Sequence, residues 1–260
     1  MNLVVLLKQV VSSDVEFEIS EDGKELNFKK VSYVINEADD YALEAALRLK
    51  ELTKGYVTVI SLGPMRVREA LYIAMAKGAD KAIHISIEEK LLYSLDPSSV
   101  AKILSKAISK TPYEIILTGS ESFDYAASQV GVLVAESLGI PHISVVSGIE
   151  VLNGAIKVKR ELGEGFNAEL LINPPALLTI QYGIYSLRYA PVFKILNAKK
   201  RSIMTLHLQD LGLSIEEIKP KTRIIQYFAP PKGRKARYIT GSPNEIAKNL
   251  IKELREAKVV

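Results

Sequence analysis

The feature that most constrains this chain is a repeated alternation between short apolar runs and longer amphipathic stretches. Residues 3–7, 57–62, 82–85, 115–118 and 143–146 have strand length and are rich in Val and Ile. Between them lie Ala- and Leu-rich segments of helical length, predicted over 39–53, 67–77, 98–109 and 125–138. In the first, Ala42, Ala45, Ala46 and Leu49 share a face, with Leu43 and Leu47 beside them. Gly55, Gly78 and Gly139 stand where helix C-caps belong. Repeated β-α order predicts an α/β fold, a doubly wound and mainly parallel sheet with helices on both faces.

The pattern changes from residue 149. Runs at 149–152 and 155–160 flank Asn153-Gly154, a hairpin signal because both residues tolerate positive φ. A second pair, 168–172 and 176–180 around Asn173-Pro174-Pro175, predicts further strands. A short basic helix follows Arg188, then a Pro- and Lys-rich stretch, then a terminal helix capped near Ser242-Pro243-Asn244-Glu245. Residues 1–190 are read as the compact α/β domain, and 191–260 as an extension that leans on something else.

Composition removes several function classes. With 48% hydrophobic residues in 260, the chain can bury a substantial core. It has no Cys, which excludes disulfides, thiolate zinc sites, iron–sulfur ligation and a cysteine nucleophile, and fits a reducing, cytoplasmic setting. The apolar start is too short for a signal core or a membrane span, so no membrane insertion is expected. A net charge of +4 raises the question of nucleic acid. The basic residues cluster late, without a recognition motif or interleaved stacking aromatics, so no nucleic-acid partner is expected.

In a doubly wound sheet, ligands sit outside the C-terminal strand ends. Three loops follow apolar strands there: Lys8-Gln9-Val10, Ser61-Leu62-Gly63-Pro64 and residues 118–124. Gly63 and Gly119 would let backbone N–H groups approach a phosphate, aided by the helices that follow; the alternative is that they only turn the chain. Neither G-x-G-x-x-G nor a P-loop is present, nor a G-x-S-x-G elbow. His84, His142 and His207 lack zinc-site spacing and read as packing residues, while Asp39-Asp40 reads as a helix N-terminal acidic pair. No catalytic residues emerge.

Several stretches, in order, resemble the electron-transfer flavoprotein β family, which includes FixA-like proteins. They are Val5-Leu6-Leu7-Lys8-Gln9-Val10, residues 35–50, Ser61-Leu62-Gly63-Pro64, Ala74-Met75-Ala76-Lys77-Gly78-Ala79-Asp80, residues 124–131, Val158-Lys159-Arg160-Glu161-Leu162, and Arg188-Tyr189 with Lys199-Lys200-Arg201. The resemblance implies a Rossmann-like fold holding AMP, or a second FAD, with an α subunit carrying most of the electron-transferring FAD site. By position, the nucleotide would be lined by Leu6, Asn36, Glu37, Ala38, Asp39, Leu62, Gly63, Gly119, Ser120, Asp124, Ala127, Ser128, Gln129 and Val130. On this reading Gly119→Val would strip nucleotide with little loss of fold.

The implied function is that of the β subunit of a heterodimeric electron carrier. It would move electrons between dehydrogenases and a membrane or soluble acceptor oxidoreductase through the shared FAD. A nucleotide-binding regulatory or sensor module without redox role is the alternative. The segment at 188–201 corresponds by position to the one that β subunits use for redox partners. Its docking candidates are Val192, Phe193 and Ile195 as an apolar anchor, with Arg188, Lys199 and Lys200 as surrounding charge.

Overall fold

The computed structural model describes every residue except Asn153, Gly154, Pro230, Lys232, Arg234, Lys235 and Val260. The expected Asn153-Gly154 turn therefore lies outside the described residues. One compact unit comprises residues 1–18 and 27–225, and a second comprises 19–26 and 226–260.

In chain order the strands are β1 (Asn2–Leu6), β2 (Gln9–Val11), β3 (Phe17–Ile19), β4 (Leu26–Phe28) and β5 (Tyr33–Ile35). Helix α1 (Glu37–Thr53) precedes β6 (Tyr56–Gly63), α2 (Arg68–Lys77) and β7 (Lys81–Ser86), and α3 (Glu89–Ser94) and α4 (Pro97–Ile108) precede β8 (Ile115–Gly119). Then come α5 (Val130–Leu138), β9 (His142–Leu152), β10 (Ala155–Gly163), β11 (Phe166–Ile172), β12 (Ala176–Ile180), α6 (Val192–Ala198), β13 (Met204–Leu206) and α7 (Pro243–Glu256).

Among the described residues, nine strands form one sheet in the order β11-β10-β9-β12-β8-β1-β6-β7-β13. From β9 to β13 every neighbouring pair is parallel, and β10 runs antiparallel to both β9 and β11. The doubly wound, Rossmann-like expectation holds. Period-2 geometry sends Leu3, Val5 and Leu7 to the core layer shared with α1 and α2, while Val4 and Leu6 enter the opposite layer with α4 and α5. Burial on both faces explains why β1 reads as an unbroken apolar run. Each such side chain contributes about 1.5–3 kcal/mol when fully buried.

The further strands expected at 168–172 and 176–180 are present as β11 and β12, where β11 pairs with β10 and β12 lies parallel between β8 and β9. Burial of every β12 residue suits that central position. Two local expectations need correction. The helix expected from residue 125 begins at Val130, because the preceding loop is tied to other elements and has positive φ at Ala126 and Ser128. At the end of α1 the left-handed residue is Lys54, not Gly55. Gly55 is needed for close approach instead, since a Cβ there would lie 2.4 Å from the Met1 carbonyl oxygen.

Asp96 caps α4 and also gathers the chain after β13. One carboxylate oxygen accepts the Ser99 N–H and hydroxyl, each at 2.8 Å, and the other accepts the Lys221 and Thr222 amides at 2.7 and 3.1 Å. Burial alone would raise its pKa, but these four donors outweigh it and hold the group at about 2. A depressed folded-state pKa stabilises above the unfolded value and is lost as pH falls through the folded one. Asp96→Ala is expected to cost about 2 kcal/mol at pH 7. Chemical unfolding between about pH 4 and pH 2 should show a stability loss in wild type that the variant lacks.

The second unit is small. Its α7 starts with a capping box, in which Ser242 N–H donates to Glu245 at 2.8 Å, and Arg237 pairs with Glu253 on the same helix. Among the described residues no helix is long and apolar enough to cross a membrane.

Candidate functional site

Chain order reverses at the centre of the sheet. β6 and β7 extend from one side of β1, while β8, β12 and β9 extend from the other. Parallel registers bring the C-terminal ends of β8, β1 and β6 to one edge, so Gly119, Leu6 and Leu62–Gly63 converge there. This is the switch-point crevice at which such sheets take ligands.

The start of α1 braces that edge from within. Asn36 precedes the helix, is buried, and makes no capping bond. Its side-chain amide donates to the Glu121 carbonyl at 2.8 Å and its Oδ1 accepts the Phe123 N–H at 3.0 Å, stapling the loop after β8. Asp39, 5% exposed, accepts the Lys8 N–H on Oδ2 and the Gly119 N–H on Oδ1, both at 2.8 Å. Burial raises its carboxyl to about 6 against the pull of those two amides. Lys8 Nζ reaches Asp124 at 2.7 Å and Ser122 at 3.2 Å.

These bonds change the sequence reading. The Gly119 amide, expected to meet a phosphate, is engaged by Asp39. A Cβ on Gly119 would lie 2.6 Å from Ala38 Cβ and 2.7 Å from the Ala38 carbonyl carbon. Gly119→Val therefore cannot leave the fold nearly intact, and glycine is required there for contact between β8 and α1. The first turn of α1 carries Glu37, Asp39 and Asp40, a concentration that repels an anion.

The first turn of α5 carries no acid. Gly131 lets α5 sit against the sheet, because a Cβ would come 2.6 Å from Thr118 and 3.0 Å from Thr179. Beside it opens a polar cavity of ≈ 180 Å³, lined by Ser120, Glu121, Ser128, Ser144, Val145, Thr179 and Gln181. Ser120 donates to Gln181 Oε1 at 3.2 Å, and Val145, at φ 59°, donates its N–H to Thr179 Oγ1 at 3.0 Å. Hydroxyl and amide groups of this kind suit the ribose and base edges of a nucleotide.

Of the expected site residues, Ser120 and Ser128 line this cavity, and Gln129 and Val130 open α5. Ala127 is half-buried and Asp124 is exposed and paired with Lys8. Leu6, Ala38 and Leu62 are packed, and Glu37 is exposed. Sequence reading missed Ser144, Val145, Thr179 and Gln181, which join only through the placement of β12 between β8 and β9. Among the described residues no group of three His, Cys, Asp or Glu is placed to hold a metal ion.

In the docking segment, Val192 and Phe193 are exposed, while Ile195 packs partly on the core. Arg188 is bound inside the chain: it donates to buried Glu44 at 2.8 and 3.1 Å and to Glu51 at 2.8 Å. Lys199 pairs with Glu69 at 2.7 Å and Lys200 is exposed.

A family profile described as "Electron transfer flavoprotein domain" matches residues 26–211. Similar proteins include the electron transfer flavoprotein subunit beta of Methylophilus methylotrophus, 36% identical over 99% of both chains. That of Bacillus subtilis (strain 168) is 34% identical over 100% of both. That of Sus scrofa is 28% identical over 98% of this chain and 97% of its own.

Proposed function

The chain belongs to the electron transfer flavoprotein family as a β-type subunit, and from that premise we propose that it carries electrons between dehydrogenases and an acceptor through an FAD held with an α-type partner. The observation that carries this reading is similarity along the whole chain to β subunits. Within this chain we assign a nucleotide, AMP or a second FAD, to the crevice at the ends of β1, β6 and β8. The polar cavity would take its hydroxyl-bearing part, and the acid-free end of α5 its phosphate. Positive φ at Ala126 and Ser128 supports this, because strain in non-glycine residues is retained where a loop must hold one shape.

The redox chemistry is the flavin's; the chain's share is binding, orientation and electrostatics. Asp39 holds the ends of β1 and β8 together, Asn36 fixes the loop after β8, and Gly131 sets the height of α5. None of these groups needs to exchange a proton with the ligand.

Reconstitution with an α-type subunit is expected to give a yellow 1:1 complex that releases AMP or FAD on heating, identified by mass. A stable colourless monomer that gains no flavin from any α-type subunit would overturn the assignment. For docking, Lys194 and Lys200 are the better probes than Lys199, since both are exposed and Lys199 is paired with Glu69. Lys194→Glu with Lys200→Glu should slow association with an acidic redox partner by about tenfold at low salt and flatten its salt dependence, with flavin content unchanged. Unchanged rates in stopped-flow electron transfer would remove these charges from docking.

A further inference from the structure

His84 lies in β7, behind the crevice, with no exposure to solvent. Its Nε2 is 2.8 Å from the Gly63 carbonyl oxygen. A carbonyl only accepts, so Nε2 must carry the proton. The same carbonyl accepts the Ile87 N–H at 3.2 Å. Two donors thus hold one peptide at the point where β6 turns into the loop facing the crevice, and Gly63 there has φ 153°. A Cβ on Gly63 would meet Val67 at 2.7 Å, so the turn is tightly enclosed on its other side.

The remaining polar atoms at this place are costly. Ser61 is the register partner of His84 on β6 and is equally buried. Among the described residues neither Ser61 Oγ nor His84 Nδ1 has a hydrogen-bond partner. Burial, with the nearby Arg68 and His207, lowers the ring's pKa from its ordinary value, against the Gly63 carbonyl, which raises it. A fold that needed only to fill this space would be better served by an apolar side chain.

We propose that His84 is a positioning residue for the nucleotide: its Nε2–H grips the Gly63 carbonyl and fixes the direction in which the Leu62-Gly63-Pro64 turn faces the crevice. This rests on the nucleotide reading above.

The test uses the full-length chain in complex with its α-type partner, stripped of nucleotide, with AMP as the calorimetric probe. Three variants are compared with wild type. Ser120→Leu fills the polar cavity and reports on the site itself. His84→Leu removes both ring nitrogens, and His84→Gln keeps an N–H donor able to reach Gly63. His84→Leu is expected to melt within a few degrees of wild type, because Ile87 still satisfies the carbonyl, yet to bind AMP about tenfold more weakly. His84→Gln should bind within about threefold of wild type. Wild-type affinity in His84→Leu, while Ser120→Leu fails to bind, overturns the positioning role and leaves the site standing. The positioning role also falls if His84→Gln melts normally but binds as poorly as His84→Leu. Absence of AMP binding by wild type, or full binding by Ser120→Leu, removes the site and the positioning role with it.

Discussion

Gly119→Ala is expected to destabilise the chain by about 3 kcal/mol or more, the upper range for forcing atoms into a packed interior. The added Cβ would sit 2.6–2.7 Å from Ala38 Cβ, the Ala38 carbonyl carbon and Asp39 Oδ1. None of those atoms can rotate away, since the Ala38 Cβ and carbonyl carbon are set by the backbone and the carboxylate is fixed by the amides of Lys8 and Gly119. Urea unfolding should show a lower midpoint with an unchanged slope, in the absence of any nucleotide. Ala38→Gly in the same chain should recover part of the loss, because it removes the closest of the three contacts. An alanine variant with a wild-type midpoint would show that β8 and α1 can separate freely. It would also return Gly119 to the role of a simple turn.

Arg188→Ala should cost about 3 kcal/mol, the scale on which breaking a buried ion pair leaves one charge stranded. Glu44 is 3% exposed and, once the guanidinium is gone, keeps the Arg48 side chain and the backbone N–H of residue 188. Burial would raise the Glu44 pKa, but bonds from Arg188 and Arg48 outweigh it and hold the carboxyl below its ordinary range. The pair therefore stabilises above the unfolded pKa, and its contribution fades as pH falls through the folded one. In the variant Glu44 protonates more readily, so the deficit against wild type should narrow as unfolding is measured from pH 7 toward pH 4. A deficit that is absent at pH 7, or constant with pH, would refute this anchoring role. Lys194 and Lys200 lack such an anchor in α1, which is why their reversal is expected to alter partner kinetics rather than melting.

The sequence made the central strands legible because burial on both faces leaves an apolar run with no polar alternation, as in β1 and β8. It did not reveal that β12 inserts between β8 and β9. Asn173-Pro174-Pro175 carries a local turn signal, whereas the partner of Ala176–Ile180 is chosen by burial across the whole sheet. The late start of α5 was hidden for a similar reason. Tyr125-Ala126-Ala127 has helical composition, and what keeps the loop irregular is its tie to Asn36 and Lys8, which are distant in sequence. At the site, Gly63 and the residues opening α5 could be picked out from strand–loop–helix order. Ser144 and Gln181 could not, since one lies within β9 and the other just after β12, strands whose neighbours only the topology reveals. The roles of Asp39 and Arg188 were misleading in sequence: an acid at a helix start and an arginine in a basic stretch suggest surface electrostatics. Both are instead engaged by partners within the chain.

The placement of β1 governs when the chain can close during synthesis. Leu3 needs Val57 on one side and Ile115 on the other, and Ile115 in turn needs Ala176. As the polypeptide leaves the ribosome, β1 must wait for more than a hundred further residues before both its edges are paired. The half built from β1, β6 and β7 can assemble early and then present a bare β1 edge until β8 arrives. β8 stays open until β12 is released. An arrest of translation between residues 60 and 110 would therefore expose a hydrogen-bonding edge flanked by apolar side chains, the kind of surface that chaperones engage and that pairs with other chains if left alone.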